Sequence, residues 1–380
     1  VLPCPRTTIE AARRRALRHG GDGLKNRPSD RAKAHCAGAA GDAAPFPFRT
    51  MQALITDSDF PTLDLERSLF AGAGWTVRSA QCRTEDEVIE AARDCDALLV
   101  QYAPVTDRVL RALPRVGIVS RYGAGYDTVD TAACARHGVW LANSPDYGVG
   151  EVATHALAMA LALLRHLALY DRDVRAGRWS YLSPGTIRRT STLAVGILGL
   201  GRIGKRFAHL ARNCFARVLA CDPYLIDGDF PAYVERVTLD ELFERSDVVS
   251  LHVPLTPQTR GLVDARRLGR MRRGSVLVNT ARGAVVDVDA LLEALDGGVL
   301  DGAALDVLPS EPLAVDHPLA RHPRVLLSPH AAFYSIEAEV ELRRKAVLNI
   351  VQWAATGRPM YPVIEGTKIP QRRPGERDTT

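Results

Sequence analysis

From Met51 onward, short apolar runs alternate with amphipathic stretches, a pattern that predicts alternating strands and helices and hence a parallel α/β sheet. Residues 51–56 predict a strand and 62–72 a helix. Thr84-Glu-Asp-Glu87 is a capping box that opens a helix running to Asp94. Strands follow at 97–101, 116–120 and 139–141, with a short helix at 106–113. In the second half the predicted strands are 193–198, 217–221, 248–253, 275–279, 302–306 and 325–328. A last helix spans 336–356, stopped by Gly357 and the following Arg358-Pro359. Between the halves, Asn143-Ser144-Pro145 reads as a hinge, because proline holds the preceding residue extended. After it, one long helix is predicted over 151–176. Its apolar residues go nearly all the way round, so it is buried on more than one side, in a subunit interface or in the core of one chain.

The junction of the 193–198 strand with a helix at 205–213 carries Gly199, Gly201 and Gly204 in a G-x-G-x-x-G pattern. In that context the glycines have separate jobs: Gly199 allows a tight turn, Gly201 lets a pyrophosphate approach the backbone, and Gly204 lets helix pack on strand. The free N–H groups of Gly201, Arg202 and Ile203 at the helix start suit that anion. Asp222 ends the next strand, where an acid bonds the adenine ribose hydroxyls and repels a 2′-phosphate. This favours NAD over NADP.

Charge changes the picture little. The chain is formally +5, but residues 1–50 carry +6 and 367–380 carry +2, leaving the body at −3. A basic nucleic-acid face on the body is not indicated. No apolar run reaches the length of a membrane span. Seven cysteines, odd in number and without a C-x-x-C, argue against a disulfide framework and a zinc site and fit a reducing cytoplasm. Residues 1–50 lack Met and any helical or strand period, and read as a disordered extension. The polar tail 367–380 reads likewise.

Three titratable residues stand at strand ends of the second half: Arg282, Glu311 and His330. The carboxyl ends of parallel strands face the ligand crevice. An arginine suits a substrate carboxylate, a histidine can deliver a proton to a carbonyl oxygen, and a carboxylate beside it stabilises the imidazolium. The set points to reduction of a 2-keto acid by a nicotinamide.

The motifs Arg121-Tyr-Gly-Ala-Gly-Tyr-Asp127, the 199–204 loop, Asn279-Thr-Ala-Arg-Gly283, Ala304-Leu-Asp-Val-Leu-Pro-Ser-Glu-Pro312 and Ser328-Pro-His-Ala-Ala332 stand in one order along residues 51–365. In this, the body resembles the D-isomer-specific 2-hydroxyacid dehydrogenase family. His330-Ala-Ala-Phe-Tyr-Ser335 and Asp222-Pro-Tyr-Leu225 are similar to its C-terminal-binding-protein-like and phosphoglycerate-dehydrogenase-like branches.

The resemblance implies two Rossmann-like parallel-sheet domains. A substrate domain comes from 51–146 and 332–366, and an NAD-binding domain from 147–331 is inserted into it. It implies a homodimer built on the 151–176 helix, NADH as cofactor, and a D-2-hydroxy acid as product. Arg282 would bind the substrate carboxylate, with His330 as acid/base paired to Glu311. The Gly123-Ala124-Gly125 turn would offer backbone N–H groups to the same carboxylate. Tyr102, Arg121, Tyr122, Tyr126 and Phe333 would line or flank the pocket; Phe333 stands where the first branch commonly has Trp. Thr280, Ala281, Asp306, Ala332 and the loop from Pro254 to Thr259 would lie against the cofactor, Asp306 at the nicotinamide carboxamide. Two alternatives stay open: an NAD-sensing corepressor-like scaffold with weak or no turnover, and a dehydrogenase acting on phosphite or a phosphonate.

Overall fold

The computed structural model describes residues 50–370. Residues 1–49 and 371–380, expected above as disordered segments, lie outside the described residues.

Two parallel sheets are built from successive stretches of chain. The first contains β1 (Gln52–Ile55), β2 (Thr76–Ser79), β3 (Ala97–Val100), β4 (Ile118–Arg121) and β5 (Trp140–Ala142). The second contains β6 (Ala194–Leu198), β7 (Arg217–Cys221), β8 (Val234–Arg236), β9 (Val248–Leu251), β10 (Ser275–Asn279), β11 (Leu300–Leu305) and β12 (Val325–Leu327). The chain then returns to the first sheet as β13 (Pro362–Ile364), antiparallel to β5. The orders are β13-β5-β4-β3-β1-β2 and β12-β11-β10-β9-β6-β7-β8. The second domain is thus inserted into a discontinuous first one. Central strands such as β3, β6 and β10 are buried throughout, as expected where helices cover both faces.

The return to the first sheet is made by the helix Ile336–Thr356. Leu342, Ala346, Val347, Ile350 and Trp353 join Ala53, Ile55, Leu99 and Ile118 in one core. Arg343 on this helix meets the fully buried Glu66 through Nε at 2.8 Å and Nη2 at 2.7 Å. Gly357 ends the helix in the left-handed conformation, φ 82°.

The long helix expected over 151–176 is two helices, Val149–Leu164 and Leu167–Arg175, bent by 57°. His166 causes the break. It takes φ 49°, which an α-helix cannot continue through, and its Nε2 lies 3.3 Å from Asp301 Oδ2. The first piece packs Ala153, Ala156, Met159 and Ala160 against Phe207 and Ala208 of the helix Arg202–Ala211. Among the described residues no single helix is long and apolar enough to cross a membrane.

The chain also stays bonded beyond residue 366. The backbone N–H groups of Thr367 and Lys368 both donate to Gly138 O at 2.9 Å, and Lys368 Nζ donates to Pro114 O and Val116 O at 2.8 Å. The polar tail therefore begins later than its composition suggests.

Candidate active site

The order of the second sheet reverses between β6 and β9, and the loop after β6 opens into that crevice. Gly199 takes φ 91° there, and a Cβ on it would meet His252 O at 2.8 Å. At Gly204 a Cβ would lie 2.1 Å from Gly199 O, so only glycine lets the helix seat on the turn. Gly201 faces open space, with no heavy atom within 4 Å of a Cβ. No side chain caps the helix start behind it, leaving the N–H groups of Arg202 and Ile203 for an anion. Asp222 accepts from Leu200 N at 2.8 Å and from Tyr224 N at 3.0 Å, which fixes its carboxylate beside the loop.

The other expected cofactor positions fall on the same crevice wall. Thr280 follows β10, and its buried Oγ1 has no protein partner. Ala281 and Ala332 are buried in their loops. Thr259 Oγ1 donates to Pro254 O at 2.6 Å and accepts from Thr256 N at 2.8 Å, so its hydroxyl holds the loop's shape. An open glycine loop, an uncapped helix start, a fixed acid and an orphaned buried hydroxyl fit a dinucleotide.

His330 follows β12 and takes φ 53°, a costly conformation for a residue with a Cβ. Its surroundings over-determine it. His330 N donates to Asp306 O at 2.8 Å. The Asp306 carboxylate, buried at the end of β11, accepts from Ala331 N at 2.9 Å, Ala332 N at 3.0 Å and Ser328 Oγ at 2.5 Å. Asp306 was expected at the nicotinamide carboxamide. In the structure its buried carboxylate takes three donors and clamps the turn that carries His330. His155 extends the clamp, its Nε2 lying 3.0 Å from Ser328 Oγ.

His330 Nδ1 and Glu311 Oε2 are 2.7 Å apart, and Leu308 N donates to Glu311 Oε1 at 2.9 Å. Partial burial pushes the Glu311 carboxyl up. The bonds from His330 and the Leu308 amide outweigh that and hold it below the usual range. With Nδ1 on an ionised carboxylate, Nε2 is the nitrogen left for a substrate.

Arg282 follows β10 in the loop after Thr280. Its Nε donates to Asp127 Oδ2 at 2.7 Å and its Nη1 to Ala281 O at 2.7 Å. Its Nη2 lies where a Cβ on Gly125 would be, only 1.4 Å away, so this turn admits the guanidinium because residue 125 is glycine. Gly123 takes φ 124° and stands in the same way against Arg121. The turn residues Gly123, Ala124 and Gly125 are thus brought to Arg282.

The aromatic positions divide. Phe333 stands edge-on to His330 at 6.5 Å and to Tyr147 at 6.0 Å, forming a wall beside the histidine. Tyr102 is 49% exposed, and its loop is held by Asp57, which accepts the N–H groups of Gln101, Tyr102 and Ala103. Tyr126 is also exposed. Tyr122 does not reach the pocket. It is buried in the core, with its OH on Glu66 Oε1 at 3.1 Å. It follows Arg121 directly, and successive residues of an extended chain face opposite sides.

Sequence reasoning missed Asp57, Tyr147, His155 and the partner role of Asp127. Asp127 closes the motif that begins at Arg121, which was its one visible signal.

A family model described as D-isomer specific 2-hydroxyacid dehydrogenase, NAD binding domain, matches residues 157–332. A glyoxylate reductase of Korarchaeum cryptofilum is 38% identical over 273 residues, covering 70% of this chain and 81% of the relative. A D-3-phosphoglycerate dehydrogenase of Mycobacterium tuberculosis is 38% identical over 266 residues, covering 69% of this chain and half of that protein. Among solved structures, a D-lactate dehydrogenase from Aquifex aeolicus, complexed with NAD and lactic acid, superposes with a TM-score of 0.72. It is 28% identical, covering 80% of this chain and 96% of that one.

Proposed function

Because the chain belongs to the D-isomer-specific 2-hydroxyacid dehydrogenase family, with NAD(H) as its cofactor, we propose that it reduces a 2-keto acid to the D-2-hydroxy acid. The observation that carries this reading is the His330–Glu311 pair at 2.7 Å, fixed on a strained turn at the end of β12. A scaffold that only senses NAD has no use for an acid/base histidine aligned by an ionised carboxylate.

NADH, when bound, supplies the hydride. Arg202, Ile203 and the Gly201 turn would hold its pyrophosphate, Asp222 its ribose hydroxyls, and Thr280 and the 254–259 loop would lie against it. Arg282, through the amino groups left free by Asp127, binds the keto acid's carboxylate with the N–H groups of the 123–125 turn. His330 gives the proton from Nε2 to the carbonyl oxygen, while Glu311 stabilises the imidazolium before transfer. Phe333 and Tyr147 keep water from the histidine's flank. Asp306, Ser328 and His155 act only through the turn they hold.

The functional unit in this reading is a homodimer. Leu167, Val174, Trp179, Tyr181 and Leu182 lie exposed along and just after the second of the two bent helices, an apolar surface that a second copy would cover. Cys82, Cys95 and Cys134 are buried free thiols, which fits a cytoplasmic setting.

The test is NADH consumption by the purified protein against a panel of 2-keto acids. Steady turnover of one of them supports the proposal, and a blank across the panel contradicts it.

A further inference from the structure

The chain leaves the first sheet at Asn143-Ser144-Pro145, just after β5, and the first two residues of this crossing are bonded to the 123–125 turn. Asn143 Nδ2 donates to Ala124 O at 2.7 Å, and Ser144 N donates to Gly123 O at 2.9 Å. The peptide units of the turn are trans, since the one cis bond among the described residues is Glu311-Pro312. In a trans unit the C=O and the N–H point in opposite directions. Holding the carbonyls of Gly123 and Ala124 on the crossing therefore turns the N–H groups of Ala124 and Gly125 away from it. Neither N–H finds a protein acceptor among the described residues, and Arg282 Nη2 lies against the same turn at Gly125.

The turn cannot set this orientation by itself. Glycines stand on both sides of Ala124, and glycine tolerates backbone conformations that would rotate a peptide unit and present its oxygen instead. An oxygen there would repel a carboxylate, so the orientation has to be imposed from outside the turn. Asn143 is placed to impose it. It is buried, its carbonyl accepts Asn349 Nδ2 at 2.9 Å, and its N–H donates to Tyr361 O at 3.3 Å. Asn349 lies fully buried on the returning helix, and its Oδ1 accepts Tyr361 N at 2.9 Å. The side chain that grips Ala124 is thus anchored to both the crossing and the return of the chain.

We infer that Asn143 is a positioning residue for the reaction: by holding the Ala124 carbonyl, it aims the Gly125 N–H at the substrate's carboxylate. Ser144 does the same for the Ala124 N–H through its main chain. The inference rests on the reading that this turn binds that carboxylate.

The experiment compares wild type, Asn143→Ala and Asn143→Asp in reduction of the best 2-keto acid found for wild type, with NADH affinity and melting temperature as checks on folding. The turn holds the carboxylate before and during hydride transfer alike, so the loss falls on KM and leaves kcat nearly unchanged. Asn143→Ala should raise KM about tenfold. Asn143→Asp keeps the shape but sets an oxygen against the Ala124 carbonyl, and should raise KM further. A side chain that only fills space would give the opposite order, because Asp replaces its volume and Ala does not. That opposite order, or an unchanged KM in either folded variant, would overturn the inference.

Calorimetric binding of oxamate, an unreactive carboxylate of the size of pyruvate, to the NADH-loaded protein separates this inference from the reductase reading. Binding about tenfold weaker in Asn143→Ala, without turnover of any keto acid by wild type, would uphold the positioning role and sink the reductase. Equal binding by wild type and variants, or none by wild type, would sink the positioning role.

Discussion

Asp127 and Arg282 meet at 2.7 Å although 155 residues separate them. Asp127 lies in the loop after β4 of the first sheet, and Arg282 in the loop after β10 of the second. The bond therefore joins loops of the two sheets, and it leaves Nη2 of the guanidinium beside Gly125. Both partners are partly exposed, so solvent screens the pair. Asp127→Asn should release the aim of Arg282 at a cost of about 1 kcal/mol, roughly fivefold in kcat/KM. NADH affinity should stay unchanged, and steady-state kinetics with a fluorescence titration of NADH would check both.

Asp222 is pinned by two amides, and in the proposed reading its charge faces the cofactor's ribose. Asp222→Ala removes the repulsion of a 2′-phosphate and the acceptor for the ribose hydroxyls. The ratio of kcat/KM for NADPH over NADH should rise by about tenfold or more. An unchanged ratio would remove Asp222 from cofactor selection.

Glu311→Gln keeps the shape of the pair and removes its charge. The carboxyl's lowered pKa means that the unfolded chain takes up this proton first as pH falls. The stability it contributes is present above the ordinary glutamate value and is lost as pH falls through the lowered one. Wild type should therefore lose more melting temperature than Glu311→Gln between pH 5 and pH 3. At pH 7 the variant should reduce keto acid about tenfold more slowly, for want of a counter-charge to the imidazolium.

His252, beneath the glycine loop, is half-buried, its ring 5.0 Å from that of Phe207 and its Nε2 2.9 Å from Ser250 Oγ. Burial pushes its pKa down to about 3. The unfolded chain protonates this histidine near its ordinary value while the folded protein does not. Stability is complete above that value and falls as pH drops from it towards about 3. Acidification from pH 6.5 to pH 5 should cost about 2 kcal/mol through this group alone. Denaturant unfolding of wild type and His252→Gln at the two pH values would show a smaller drop in the variant.

Much of this was legible in the chain because the signals were local. Strands buried on both faces, such as Ala194–Leu198 and Ser275–Asn279, are continuous apolar runs that read at once. The capping box at Thr84 and the stop at Gly357 depend on residues within one turn. The edge strand Thr76–Ser79 was missed because it is largely exposed and carries no apolar run. Pro362–Ile364 was missed because its pairing with β5 is set by the returning helix. The bend at His166 is a backbone conformation that no composition signals. In the site, Arg282, Glu311 and His330 could be picked out as reactive types at strand ends. Asp57, Asp127 and His155 act on groups 44 to 173 positions away in the chain, and only the folded structure brings them there.

The most direct test of the central claim is His330→Ala, assayed for NADH-dependent reduction of the best 2-keto acid found for wild type. The account predicts a loss of about 10²–10⁴ in kcat with NADH affinity within about twofold of wild type. Turnover close to wild type would contradict it.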